Sequence, residues 1–162
     1  MVIALMLTAL LFVTLYGITD QLRQNHRRYR AGLEKSRHTQ NVAALILEDL
    51  AQVRQKAQIV HDAGYDRIAL YTANSLYGIA RPWVHYYVSK ERRALVRIEA
   101  TAKIDFLKGD YGRTASDPLF FADVLATGCR SFRIHDGYDR FNVFIRCESL
   151  EPVTLAVFKG SS

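Results

Sequence analysis

The chain has 162 residues, 49% of them hydrophobic and 23% charged, with a formal net charge of +6 and two cysteines. Two cysteines permit one disulfide and exclude a thiolate metal site, and the length suffices for one modest core. The basic residues cluster near the N-terminus and no nucleic-acid-binding motif follows them, so nucleic acid is not an expected partner.

Residues 1–18, MVIALMLTALLFVTLYGI, carry no charge. As a helix they span about 27 Å, close to the roughly 30 Å of bilayer hydrocarbon. The stretch reads as a single-pass transmembrane anchor that is retained, since no A-x-A-like cleavage site precedes Asp20.

Residues 19–63 are expected to continue the helix, for they hold no proline and a single glycine, Gly32. The run around Arg23, Arg27, Arg28 and Arg30 is almost wholly polar and suits water or lipid headgroups. Farther on, Val42, Leu45, Ile46, Asp49–Leu50, Val53, Ala57 and Val60 recur at three- and four-residue spacing, a stripe that needs something to pack on. Leu45, Leu50, Val53 and Ala57 are its expected core face, and Gly64 is the expected stop.

Residues 64–162 read as a β-rich domain. The run 67–72 is a strand candidate and 74–78 a loop. In 83–88, Val84, Tyr86 and Val88 share a face, with Trp83, His85 and Tyr87 on the other. After the polar turn 89–93, Ala94, Val96 and Ile98 return on one side of 94–99. These two runs predict an antiparallel hairpin whose apolar face covers the helix stripe. Asp117-Pro118 looks like an N-cap followed by proline at the first helical position, and Gly128 like a stop, which predicts a short helix over 118–127. Strands are then expected at 131–134, 140–146 and 153–158. The predicted fold class is α+β, a long N-terminal helix laid against an antiparallel β-sheet.

Chemistry is scarce. His26, His38, His61, His85 and His135 show no ligand spacing, and no phosphate loop or nucleophile motif is present. The pairs His61-Asp62 and His135-Asp136 read as loop or helix-end residues. The turns Gly109-Asp-Tyr-Gly112 and Asp136-Gly-Tyr-Asp139 offer oxygens to Ca²⁺, but turn chemistry accounts for them. Trp83, Tyr86 and Tyr87 could stack a ligand, although a hairpin needs core aromatics anyway. No catalytic residue, cofactor or metal site is expected. Cys129 and Cys147 flank the 136–137 turn, and a constant register opposing Phe132 to Phe144 also opposes these two cysteines. That predicts a disulfide in an extracytoplasmic domain. Two buried thiols on the cytoplasmic side are the alternative, favoured by the basic residues that follow the anchor.

The order of parts resembles the type IV pilins and the pseudopilins of type II secretion, and is most similar to the J-type minor pseudopilins. The resemblance rests on Leu45-Ile-Leu-Glu-Asp-Leu-Ala-Gln-Val-Arg54, on Val84-His-Tyr-Tyr-Val88 with Leu95-Val-Arg97, and on Asp123-Val-Leu-Ala-Thr-Gly-Cys-Arg-Ser-Phe132. The family's basic leader and its Glu at the fifth mature position have no counterpart here, and Met1-Val-Ile-Ala-Leu would correspond to residues just after that Glu. The resemblance implies a pilin-like fold, an inner-membrane anchor with the domain in the periplasm, and a subunit that joins other minor pseudopilins or pilins at a filament tip. Such packing would use the small residues Ala4, Thr8, Ala9 and Gly17 of the anchor. A membrane-anchored sensor or adaptor that binds a partner or small ligand is the second reading, and a tethered enzyme the third.

Overall fold

A computed structural model describes residues 2–103 and 119–159, and within the N-terminal helix the side chains of residues 2–15, 17–20 and 22 lie outside that description. Helix α1 (Val2–Ala51) is followed by eight strands: β1 (Gln58–Val60), β2 (Arg67–Tyr71), β3 (Trp83–Ser89), β4 (Ala94–Ala100), β5 (Phe120–Ala126), β6 (Cys129–Asp136), β7 (Arg140–Cys147) and β8 (Val153–Phe158). Strands β1 to β5 form one antiparallel sheet in chain order, and β6 to β8 form a second. The chain divides into two compact units, residues 1–37 and 38–162.

With one helix and eight strands in two antiparallel sheets among the described residues, the protein is richer in sheet than a pilin-like α+β fold, and the expected single sheet on a long helix is corrected accordingly. The expected membrane anchor is corrected as well. Among the described residues no helix is long and apolar enough to cross a membrane. Residues 23–37 of the first unit are strongly polar, with Arg23, Arg27, Arg28, Arg30, Glu34, Lys35 and Arg37 among them. A single-pass inner-membrane anchor over residues 1–18 that holds the domain in the periplasm is therefore not supported.

In the second unit, α1 buries Thr39, Val42, Ile46, Asp49 and Leu50, at the three- and four-residue spacing of one helix face. Against them lie Val84, Tyr86, Val88 and Leu95 of the first sheet, and Phe132, Ile134, Phe141, Val143 and Ile145 of the second, in one continuous core. The Tyr86 and Phe132 rings meet across it at 6.5 Å. Leu45 and Val53 pack at its edge, half-buried, while Ala57 is buried beyond the helix end.

The helix does not reach Gly64. It stops at Ala51 because tertiary partners take over its last carbonyls. The Thr72 hydroxyl donates to the Asp49 carbonyl at 3.1 Å, and the Ala73 amide donates to the Gln52 carbonyl at 3.2 Å. Val53 then bridges Thr72, and β1 pairs with β2. Strand pairing wins over a helical pattern that only local spacing supported.

The β3–β4 hairpin forms with His85 opposite Ile98 and Tyr86 opposite Arg97. Its faces differ from the expectation. Ala94, Val96 and Ile98 turn away from the helix and make a separate small cluster with Tyr87 and Phe120. Leu95, Arg97 and Glu99 share the helix-side face with Val84, Tyr86 and Val88. All seven residues of β4 are buried, so alternation alone could not choose the face.

The expected helix over 118–127 is a strand. Pro118 lies outside the described residues, and Phe120–Ala126 pairs along β4 from Ala100 to Leu95 with a bulge at Leu95/Val96. The backbone bonds of an otherwise unpaired β4 edge outweigh the helix-start signal. Gly128 is a turn residue between β5 and β6, with φ of 65° and Glu148 side-chain atoms 2.7 Å from where a Cβ would stand. A side chain there would clash as well as strain the backbone.

Cys129 and Cys147 stand opposite one another and are bonded, S–S 2.03 Å, with Cα atoms 3.8 Å apart. The register around them is not constant. A shift between Cys129 and Ser131 places Phe132 opposite Ile145, whereas the expected register had Phe144 there.

Candidate functional site

Two regions of the described chain stand out, a buried polar junction between helix and sheet and an uncovered stretch of helix. The junction centres on Arg97, wholly buried between Asp49 of α1 and Glu99 of its own strand. Arg97 Nε and Nη2 donate to the two Asp49 oxygens at 2.8 and 3.2 Å, and Nη1 donates to Glu99 Oε2 at 2.9 Å. The bidentate fork fixes the guanidinium plane against the helix.

Every remaining oxygen is occupied. Tyr86 Oη donates to Asp49 Oδ2 at 2.5 Å, and Asn74 Nδ2 donates to Asp49 Oδ1 at 2.7 Å. Glu99 accepts from the Ser75 hydroxyl and from the amides of Leu76 and Tyr77 at 2.8 and 3.3 Å. Burial pushes the Glu99 carboxyl up, yet the Ser75, Arg97, Leu76 and Tyr77 hydrogen bonds outweigh it and hold the group below the usual range. Burial, with Asp49 beside it, pushes the Tyr86 phenol well above its ordinary value, so it acts as a donor. The 73–82 loop is thereby tied down, and Tyr77 stacks on Phe121 at 4.2 Å while its hydroxyl donates to Asp123 at 2.6 Å. The chemistry is positional. With all four oxygens of Asp49 and Glu99 hydrogen-bonded, the network orients the helix end against the sheet.

Sequence reasoning counted Asp49 in the helix stripe and Arg97 in a family-like motif, but assigned neither a role. The available signal was a carboxylate on an apolar helix face together with charges at alternate positions of a strand.

The uncovered stretch lies in the first unit. From Arg23 to Lys35 every residue is exposed, Tyr29 by 67% and Leu33 by 53%. Tyr29 and Leu33, four residues apart, share a face. Arg23, Arg27 and Arg30 share another.

The other candidate residues are scattered. Ala4, Thr8, Ala9 and Gly17 have side chains outside the described residues, as does the whole of the 109–112 turn. His61 faces Asp66 at 3.1 Å, whereas Asp62 faces Lys90 at 2.8 Å, so this sequence pair splits between different partners. In the 136–139 turn, Asp136 is held by Lys159 at 2.5 Å and the Asp139 carbonyl accepts from the Lys159 amide at 2.8 Å. Among the described residues no group of three or more His, Cys, Asp or Glu is placed to hold a metal ion. Trp83 and Tyr87 lie on the opposite face of β3 from Tyr86, so the three aromatics do not form one cluster.

Comparison of the chain with protein-family models, with curated proteins and with solved structures found no match in any of the three.

Proposed function

We propose that the protein is an assembly subunit of the minor pilin or pseudopilin kind, which enters a filament through the exposed residues 23–35 of α1. One observation carries the reading. Residues 23–35 of α1 are exposed throughout, including the apolar Tyr29 and Leu33, while from Thr39 onward the same helix buries one face. A helix is a costly element to keep in water without a packing partner, and an exposed apolar pair on it suits docking against another helix. The likeness of Leu45–Arg54 and of Val84–Val88 with Leu95–Arg97 to minor pseudopilin motifs points the same way, with the filament of a secretion system or a pilus as the assembly.

The Asp49–Arg97–Glu99 junction then has a mechanical part, because it fixes the last turns of α1 to the sheet that they carry. Replacing Tyr29 and Leu33 together with Glu should lower recovery of the chain with its filament subunits by about tenfold or more, equivalent to roughly 1.4 kcal/mol. The melting transition of the domain should stay unchanged. Recovery equal to wild type would overturn the reading in favour of a partner-binding adaptor that works through its sheets.

A further inference from the structure

Where the chain leaves α1, residues 52–54 run beside residues 71–73. The Arg54 amide donates to the Tyr71 carbonyl at 2.8 Å, and the Thr72 amide donates to the Pro82 carbonyl at 3.2 Å. These bonds bring Arg54 and Arg81 to one short segment. Arg54, Tyr71, Ala73 and Arg81 line a cleft of about 540 Å³.

Both arginines are exposed, and neither guanidinium has an ion-pair partner among the described residues. Elsewhere in the same unit, Arg93, Arg97, Arg130 and Arg133 all meet carboxylates. Arg81 also has an unusual backbone. Its φ is 56°, in the left-handed region, although it directly precedes Pro82, a position that favours extended conformations. Strain of this sort persists where surrounding structure over-determines it, and ligand clamps are among the places where it collects. The 72–82 hydrogen bond supplies the constraint.

The cleft has an aromatic wall as well as charge. The Tyr71 ring is half-buried and tilts against Trp83, centroids 5.4 Å apart, and Lys103 Nζ stands 6.0 Å from the Trp83 centroid. Two arginines without ion-pair partners among the described residues line this one cleft together with Tyr71, a combination that suits an oxyanion borne on a flat apolar body.

We propose that this cleft is a binding site for an oxyanion, a phosphate or a carboxylate, borne on a small flat group that lies against Tyr71. The test is calorimetric titration of the full chain with phenyl phosphate, benzoate and inorganic phosphate. Saturable one-to-one binding of phenyl phosphate or benzoate is expected, with inorganic phosphate weaker because it cannot use the ring. Tighter phenyl phosphate would identify a phosphate-bearing ligand, and tighter benzoate a carboxylate-bearing one. R54Q and R81G should each weaken binding roughly tenfold, the loss expected for a charge-assisted fork. Glycine at 81 relieves the positive φ, so that variant should melt no lower than wild type. R92Q, which removes an exposed charge from the β3–β4 turn, is the control for net charge. An equal loss in R92Q, or no saturable binding of any of the three probes, would overturn the proposal.

Discussion

Asp49 occupies a position on the buried face of α1 where the spacing of its neighbours calls for a leucine, and four side-chain hydrogen bonds converge on its carboxylate. Its worth shows on removal, since taking one partner from a buried pair strands the other charge. Asp49→Ala is expected to cost about 3–5 kcal/mol, while Glu48→Ala, one residue away and exposed, should stay within about 0.5 kcal/mol. Chemical denaturation of both variants checks this. His85 makes a second prediction at this scale. Burial, then the positive charge of Lys103, pushes its imidazole down from 6.5 to about 4. Between those values the unfolded chain takes up a proton that the folded chain refuses, so stability falls as pH drops from 6.5 toward 4. The loss is of the order of 3 kcal/mol at the rate of 1.36 kcal/mol per unit. Below that window the carboxylates take over. Glu99 and Asp66 are held low, so their stabilisation is present above the ordinary carboxylate range and disappears as pH falls through their folded values. His85→Leu should flatten the upper limb and leave the lower one, as read from urea midpoints against pH.

Helix α1 and the β3–β4 hairpin were the most legible elements. Alternation of apolar residues in 83–88 and 94–99 marks two strands, and the polar 89–93 joins them. The choice of face was not legible. Arg97 and Glu99 read as solvent-facing until Asp49, 48 residues from Arg97 in sequence, is known to neutralise the arginine. The end of α1 was hidden for the same reason, because its caps come from Thr72 and Ala73 and no local stop residue marks it. β5 was misread as a helix from an Asp-Pro signal that carries no information about the pairing edge offered by β4. The helix stripe itself yields a comparison. Leu50 is only 2% exposed, so Leu50→Ala should lower stability by about 2–5 kcal/mol, whereas the exposed Gln55→Ala should change it by less than about 0.5 kcal/mol. Val53, half-buried at the core edge, should fall between them. Equal melting temperatures for the first two variants would show that the stripe does not carry the core.

For the whole molecule, composition and period separated a helical N-terminal part from a β-rich remainder, but not the partition of eight strands into two sheets. That partition depends on which strand edges meet. Tyr65 bridges Phe132 and the Asp66 amide donates to the Phe132 carbonyl at 2.8 Å, contacts that no local pattern announces. Apolar length read as a membrane anchor, a reading that the described residues do not support. What they present is a helical unit with an uncovered apolar pair and a domain whose polar junction fixes the end of the same helix. The direct measurement is site-specific photo-crosslinking. A photoreactive residue is placed singly at each position from 23 to 35 in the full chain, expressed in its native cells, and adducts are mapped by mass spectrometry. Helix-mediated assembly predicts adducts to a helix of a neighbouring subunit that peak at Tyr29 and Leu33 and recur every three or four residues. Adducts that are absent across the whole stretch, or equally weak at every position, would contradict it.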